Sequence, residues 1–370
     1  ERGKLFVTSG EKVYEGMIPA LATDTEMSSA LGDIATRSDF TKALSSLMPD
    51  VSDASRIAAL NAINLSQTAI RRRMDGLSRT MDEPLGRYRT SYWAQLYGTY
   101  GTQSSAQNPT GTPVPGYHVV SGGLAAGIDG ELDRNWLGGF SISQTNSYMN
   151  EKDNAGRKSD LSTTAFDFYT RANIDPLYVQ AIVGYAYDSH SSTRNVAVAG
   201  VARTAESDWT GNQLSIAVDT GTILPLGNGR LAPYLRGGYA RIFQQTHKES
   251  GAGDGADVTY LHRITTSLRA GGGTAFQYQT ELGDLSRIEV ELRGDYTHEF
   301  RADAPVFQTQ FTAGTAAFTL QGVAPARETV TGGVGVAWRQ KFSTWSLDYD
   351  AQKTGGYLGH NLTLTYRARF

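Results

Sequence analysis

Cysteine is absent from the 370 residues of this chain. Its absence excludes disulfide bonds, thiolate metal sites and cysteine nucleophiles. A large excess of one charge sign is also lacking, because 34 Lys and Arg residues stand against 37 Asp and Glu residues. The resulting net charge of -3 gives no reason to expect a nucleic acid partner.

Long apolar runs are lacking too, since no stretch approaches the roughly 18 consecutive apolar residues that a membrane-spanning helix needs. This absence does not exclude a membrane barrel, whose lipid-facing residues alternate with polar residues of the lumen. Glycine and aromatic residues are abundant, with Gly 41, Tyr 19 and 10% aromatic content. That composition favours many strands joined by tight turns, with aromatic girdles at the membrane surfaces.

The last fourteen residues alternate strictly between apolar and polar side chains. Leu358, Leu362, Leu364, Tyr366 and Phe370 share one face, and the other face is polar. At about 3.3 Å per residue the segment is long enough to cross a membrane as a tilted strand, which takes roughly 9–11 residues. The pattern is typical of the closing strand of an outer-membrane β-barrel.

The same period of two recurs from Ser91 to the end of the chain and predicts an all-β transmembrane barrel of about twelve antiparallel strands. Residues 306–322 are ambiguous, and we predict an extracellular loop there, because single-chain barrels have even strand numbers. The predicted strands are 92–100, 120–129, 136–144, 161–172, 177–188, 213–220, 231–242, 264–278, 288–298, 331–340, 345–352 and 358–370.

The connections between these strands alternate in length, which predicts the two sides of the membrane. Short turns at 129–134, 173–176 and 227–230 are expected in the periplasm. Long polar loops at 101–117, 149–159, 188–207 and 248–260 are expected outside the cell.

Residues 1–90 follow a different pattern and divide into two segments ahead of the barrel at 91–370. Residues 1–50 are expected to be the end of a passenger and its junction, with a short strand pair at 4–8 and 11–14 and a helix at 38–48. Residues 51–90 contain a longer helix, from residue 52 or 53 to Arg79. Because the chain starts at Glu1 without a signal peptide, we expect a fragment of a longer protein.

Charged residues occupy the inward face of several predicted strands, where they cannot meet lipid without a cost of up to roughly 2–4 kcal/mol each. They must therefore line water or bind partners inside the barrel. Glu289, Glu291, Arg293 and Asp295 share one strand face, and Asp348, Asp350, Arg236 and Arg269 repeat the arrangement on other strands.

The helix before the barrel carries three consecutive arginines, Arg71, Arg72 and Arg73. A twelve-stranded lumen is wide enough for one helix of roughly 10–12 Å diameter. We predict that the helix threads the lumen with these arginines facing the acidic wall of Glu289, Glu291, Asp295, Asp348 and Asp350, and that glycines 123, 127 and 139 give its backbone clearance. The alternative is that the arginines form a solvated helix face.

Four segments in this order resemble the C-terminal translocator domain of autotransporters, the type V secretion proteins: 73–79, 92–98, 127–129 and the strand ending at Phe370. The resemblance covers residues 50–370 and implies a plugged barrel in the Gram-negative outer membrane that displays its own N-terminal passenger at the cell surface. It also implies folding by the outer-membrane barrel assembly machinery, which reads Tyr366 and Phe370 in the last strand, with periplasmic chaperones and membrane lipid as further partners. We expect a monomer.

Some autotransporters cut off their passenger inside the barrel by cyclisation of a helix asparagine placed several residues before a basic pair. The matching position here, near Thr68 and Ala69, has no asparagine, and Asn61 and Asn64 lie one or two turns earlier. We therefore expect an uncleaved passenger or cleavage by another protease.

Two other classes of protein remain as alternatives. A small porin or diffusion channel fits the strands but has no need of a basic N-terminal helix. An outer-membrane phospholipase or protease requires a set of catalytic side chains, yet the histidines are scattered, at 190, 247, 262 and 298. We expect no enzyme activity and no cofactor, and we interpret Trp93, Trp136, Trp338 and Trp345 as interfacial girdle residues.

Overall fold

The computed structural model describes residues 19–20, 22–78, 90–109, 111, 113–133, 135–152, 156–283, 286–314 and 316–369. The predicted strand pair at 4–8 and 11–14, the predicted helix end at Arg79 and the assembly-signal residue Phe370 lie outside the described residues.

Twelve long antiparallel strands form a closed wall, as the alternating pattern predicted. Each strand pairs with the next along the chain, and the first pairs with the last from Ser91 opposite Arg369 to Gln103 opposite Tyr357. The strands are β1 Thr90–Gln103, β2 Tyr117–Asp133, β3 Trp136–Glu151, β4 Lys158–Ile174, β5 Leu177–Val198, β6 Val201–Thr222, β7 Gly229–Gln244, β8 Arg263–Glu281, β9 Ser286–Glu299, β10 Glu328–Gln340, β11 Ser343–Thr354 and β12 Tyr357–Arg369.

The side chains of each strand alternate between a lumen face and an outer face. In β1, Tyr92 and Leu96 point outward and are exposed, whereas Trp93 and Tyr97 are buried in the lumen. The prediction that Trp93 belongs to the interfacial girdle is therefore wrong, since its position in the alternation turns it inward. Trp136, Trp338 and Trp345 do face outward, with 44–52% of each side chain exposed.

The ends of the barrel differ as predicted. The short connections from β2 to β3, β4 to β5, β8 to β9 and β10 to β11 belong to the end that contains the start of β1 and the end of β12. At the opposite end, the predicted loop at 306–322 is confirmed as lying outside the wall. Its two short strands, Val306–Phe311 and Phe318–Gln321, belong to a separate sheet with His247–Lys248 and Val258–Tyr260. Further short strands are Ala106–Gln107, Pro113–Val114 and Leu224–Leu226.

The predicted loop at 188–207 is instead the upper part of a hairpin, and this prediction is wrong. β5 and β6 pair without a break up to Val198 opposite Val201. Ala199 and Gly200 both have positive φ, 40° and 90°, which gives the tight two-residue turn that suits a twisted hairpin. The outer face of this hairpin turns polar at Ser189, while Val196 and Val198 remain buried on its inner face.

Among the described residues, three helices of eight or more residues precede the wall: α1 Thr25–Gly32, α2 Arg37–Leu47 and α3 Ala54–Ser78. Thr36 caps α2, accepting a hydrogen bond from the Asp39 backbone N–H, so this helix begins before the predicted Ser38. It ends before Pro49, as predicted. Within the described part of the chain, no helix is both long and apolar enough to cross a membrane.

Candidate functional site in the barrel lumen

Helix α3 lies inside the barrel, as predicted for the helix ahead of the first strand. Its apolar side, Leu65, Ala69, Ile70 and Met74, packs in one buried cluster with inward side chains of the first six strands. The helix therefore lies against one half of the wall rather than on the barrel axis. The wall members of this cluster are Trp93, Tyr97, Ala125, Leu137, Tyr169, Ile182 and Ala217.

The glycines of this half of the wall make room for wall aromatic side chains, not for the helix backbone as predicted. A Cβ atom at Gly127 would lie 2.5 Å from the Trp93 ring, and one at Gly139 would lie 2.5 Å from the Tyr169 ring. Gly123 stands in the same relation to Tyr97. The rings of Trp93, Tyr97 and Tyr169 pack over these glycines, and the apolar side of α3 packs against the rings.

Arg73 forms the most deeply buried ion pair between the helix and the wall. Its guanidinium donates to both carboxylate oxygens of Asp129 in β2, with Nε 2.6 Å from Oδ2. The Tyr169 hydroxyl donates to the same carboxylate over 2.9 Å, and the Trp93 indole N–H donates to the Tyr169 oxygen over 2.8 Å. Because Arg73 and Asp129 are only 2% and 3% exposed, the pair is shielded from water and screened little by salt.

Arg71 and Arg72 reach two other parts of the wall. The Arg71 Nε lies 2.7 Å from an Asp219 oxygen in β6. Arg72 pairs with Asp350 and lies 3.6 Å from Asp348, both in β11. Successive residues of a helix point about 100° apart, so three consecutive arginines radiate to three sectors of a surrounding wall.

The prediction of one acidic wall for all three arginines is therefore correct only for Arg72. Asp348 and Asp350 face that residue, whereas Glu289, Glu291 and Asp295 pair with arginines of the wall itself. Glu289 lies 2.7 Å from Arg339, Glu291 2.9 Å from Arg293, and Asp295 3.6 Å from Arg236. Arg293 also lies 2.6 Å from Asp350, and Arg269 lies 3.8 Å from Glu299 and donates to the Asn64 side chain over 2.9 Å.

Sequence reasoning missed four carboxylates that fix the helix. Asp129 and Asp219 are the wall partners of Arg73 and Arg71, and Asp167 in β4 accepts a 2.5 Å hydrogen bond from Ser66. Asp75 of the helix lies 3.6 Å from Arg171 of the wall. The three wall aspartates occupy inward positions in their strands, and that alternation was the available signal.

The other half of the wall contacts the helix through polar side chains, and a cavity of about 220 Å³ lies between them. Polar and charged side chains line it, among them Asn64, Arg236, Arg269 and Asp295. A space of this size holds water but not a folded chain. The lumen is thus largely filled by α3 and the wall side chains.

The family of the chain follows from its sequence. A family model of the autotransporter β-domain matches residues 92–352. This chain belongs to that family. A search of curated proteins finds no match.

Two solved autotransporter structures share the fold of this barrel. The translocator domain of the autotransporter NalP from Neisseria meningitidis superposes with a TM-score of 0.59 at 15% identity, covering 82% of this chain and 98% of that one. The β-domain of the Bordetella autotransporter BrkA gives a TM-score of 0.53 at 14% identity, covering 76% of this chain and 100% of the other. The chain is an autotransporter translocator domain, a β-barrel with an N-terminal helical segment, and family and fold both point to the outer membrane.

Proposed function

We propose that this barrel lies in the outer membrane of a Gram-negative bacterium, brings its own N-terminal passenger to the cell surface, and afterwards keeps α3 in its lumen as a plug. Family membership supports secretion, and the exposed apolar outer face supports contact with membrane lipid. The observation that carries the plug is the attachment of α3 to three sectors of the wall through Arg71, Arg72 and Arg73.

The direction of the helix fits this order of events. Ala54 at the start of α3 packs in one cluster with Tyr117 and Met149, at the end of the barrel with the long loops. Met74, near the far end of α3, packs in one cluster with Trp93, near the start of β1 at the opposite end. A passenger placed before α3 is therefore at the surface once the helix has filled the lumen. The alternative of an open diffusion channel is disfavoured, because the cavity between the helix and the far half of the wall measures only about 220 Å³.

The partners of the barrel follow from the same proposal. A closed sheet offers no free edge for pairing, which supports a monomer in the membrane. The last strand, β12, would be recognised by the barrel assembly machinery through Tyr366, whose side chain is 39% exposed on the outer face, and periplasmic chaperones would deliver the unfolded chain. Such a role requires no catalysis, and the absence of enzyme activity stays a prediction.

Conductance of single barrels in planar lipid bilayers tests the plug. We expect removal of residues 1–80 to raise conductance severalfold, because the lumen then loses α3. The matched control lacks residues 1–51, which precede the helix in the chain, but retains the helix itself, and its conductance should stay close to that of the full chain. An unchanged conductance after removal of residues 1–80 would count against the plug.

A further inference from the structure

Residues 22–51, here called the lid, form a folded layer over the extracellular end of the barrel. Helices α1 and α2 pack onto the tip of the β5–β6 hairpin and onto the separate loop sheet in one buried apolar cluster. Such a layer has a core of its own outside the membrane. Its central members are Met27, Leu47, Val196, Val198, Val258, Phe311 and Leu320.

Two arginines of the barrel hold the C-terminal end of α2. Arg157 donates to the backbone carbonyl of Met48, and Arg194 donates to that of Ser46 over 2.7 Å. The last carbonyls of a helix have no partner within the helix and carry partial negative charge, so guanidinium groups stabilise them. Arg194 is itself fixed by Glu249, with Nε 3.1 Å from Oε1.

Beside this contact, four rings stack one on another: His190, Trp209, His247 and Tyr260. Adjacent ring centroids are 4.8, 4.1 and 4.8 Å apart, and the ring planes differ by only 2°, 9° and 14°. The first two rings belong to the hairpin and the other two to the loop sheet. The Tyr260 hydroxyl accepts a 2.8 Å hydrogen bond from the Asp50 backbone N–H, which joins the stack to the lid.

The stack lies above the membrane. The outer face of β5 is apolar and aromatic up to Tyr187 and polar from Ser189 to Asn195, so the lipid-facing band ends below His190. On β7 the outward Tyr239 likewise precedes the loop that carries His247. The histidines are therefore accessible to changes in external pH whenever the lid opens.

Both histidines are held in an environment that disfavours a positive charge. His190 is 2% exposed, and neither of its ring nitrogens has a hydrogen-bond partner among the described residues. Burial lowers the pKa of His190 to about 3, helped by His247 and Arg263, and burial also lowers the pKa of His247. The charged groups that face this region from the packed elements are Asp50, Arg157, Lys158, Arg194, Glu249, His262 and Arg263.

We propose that residues 22–51 are a closing lid on the extracellular mouth and that the stack of His190, Trp209, His247 and Tyr260 is its acid-sensitive latch. An open lid exposes the histidines to water, where their pKa returns to about 6.5. Opening then takes up protons below that pH, so acid favours the open state. This inference extends beyond secretion, and its test requires no transport.

One neighbouring group acts in the opposite direction. Burial, together with the nearby Asp50, raises the pKa of Glu151 well above its usual range, so the closed state holds a proton there that the open state releases. Glu151 therefore favours closure at acid pH. A test must separate the histidine contribution from that of Glu151. The ratio of the lid-opening equilibrium constant in wild type to that in a histidine variant does so, because Glu151 is present in both proteins.

The test measures amide hydrogen exchange of the lid helices in the full chain refolded in detergent. After correction for intrinsic exchange rates, these data give the equilibrium constant for lid opening at each pH from 6.5 to 4.5. We expect the ratio of this constant in wild type to that in His190→Gln to rise about tenfold per unit of falling pH, since one proton distinguishes them. Replacing His360, which pairs with Tyr349 on the outer face, by glutamine is the control and should leave the ratio to wild type constant.

A ratio that does not change with pH would overturn the latch. If His190→Gln fails to fold, the half-buried His247 provides the second variant, His247→Gln, whose ratio should change in the same direction. A flat ratio for that variant would overturn the proposal equally. Amides of the barrel strands in the same samples serve as the internal reference, because their exchange should not depend on the protonation of the histidines.

Discussion

Replacement of Arg73 by methionine should release α3 from the wall more easily than any change at an exposed arginine. The substitution keeps a long side chain but leaves Asp129 as a buried carboxylate, 3% exposed, without its cation. Breaking a buried ion pair by removing one partner costs about 3–5 kcal/mol. The Tyr169 hydroxyl still donates to the carboxylate, so we expect the lower end of that range, about 3 kcal/mol, or about 150-fold in the release equilibrium.

Release of the helix can be followed by brief proteinase K digestion across a urea series, with gels reporting the intact chain and the protected barrel separately. The matched control is Arg37→Met, because Arg37 is exposed on α2 and no salt bridge of the described residues includes it. A double variant that adds Asp129→Asn removes the stranded charge, so its loss should be smaller than the sum of the two single losses. Equal sensitivity of Arg73→Met and Arg37→Met would refute the reasoning.

Two further changes test the fit of helix and wall. Arg72→Glu places a third carboxylate beside Asp350 and its neighbour in β11, so the temperature at which the folded band disappears on gels should fall. An unchanged temperature would support a solvated arginine. Gly127→Val should reduce refolding yield by displacing the packed Trp93 ring, whereas Gly238→Ala, where no atom lies within 4 Å of the new Cβ, should refold like wild type. Equal yields would contradict that close contact.

The wall of the barrel could be predicted from sequence because each strand obeys a local rule. Lipid outside and polar groups inside impose alternation on every strand, and that period is visible without knowing any partner. The same rule failed between 188 and 207, where the strands leave the membrane. There the outer face meets water, so the polar residues resembled a loop although Val196 and Val198 keep the inner face apolar.

The contacts of the helix were less predictable. Three adjacent arginines indicated acidic partners. The identity of those partners, however, depends on how far α3 enters the lumen and on its rotation about its own axis. Those two quantities are set by the packing of Ile70 and Met74 against the aromatic rings of the wall. Asp129 and Asp219 were consequently missed, although both occupy inward positions in their strands.

The lid was invisible in the sequence for a related reason. The helical pattern of 38–48 predicted α2, but nothing local identifies the surface that covers it. That surface combines the hairpin tip with a loop sheet distant in the chain, as the contact of Ser46 with the backbone of Ala197 shows. The ring stack likewise unites residues from two separate hairpins, so spacing along the chain gave no signal.

Trypsin digestion of the refolded chain, before and after heating, tests most directly whether the helix lies in the lumen. Arg71, Arg72 and Arg73 are three adjacent cleavage sites that the barrel should shield, whereas Lys42 on α2 is exposed and should be cut in both states. We expect peptides ending at residues 71–73 only after the folded, faster-migrating band has been converted by heat. Their appearance in the unheated sample, with the barrel still protected, would contradict a helix bound inside the pore.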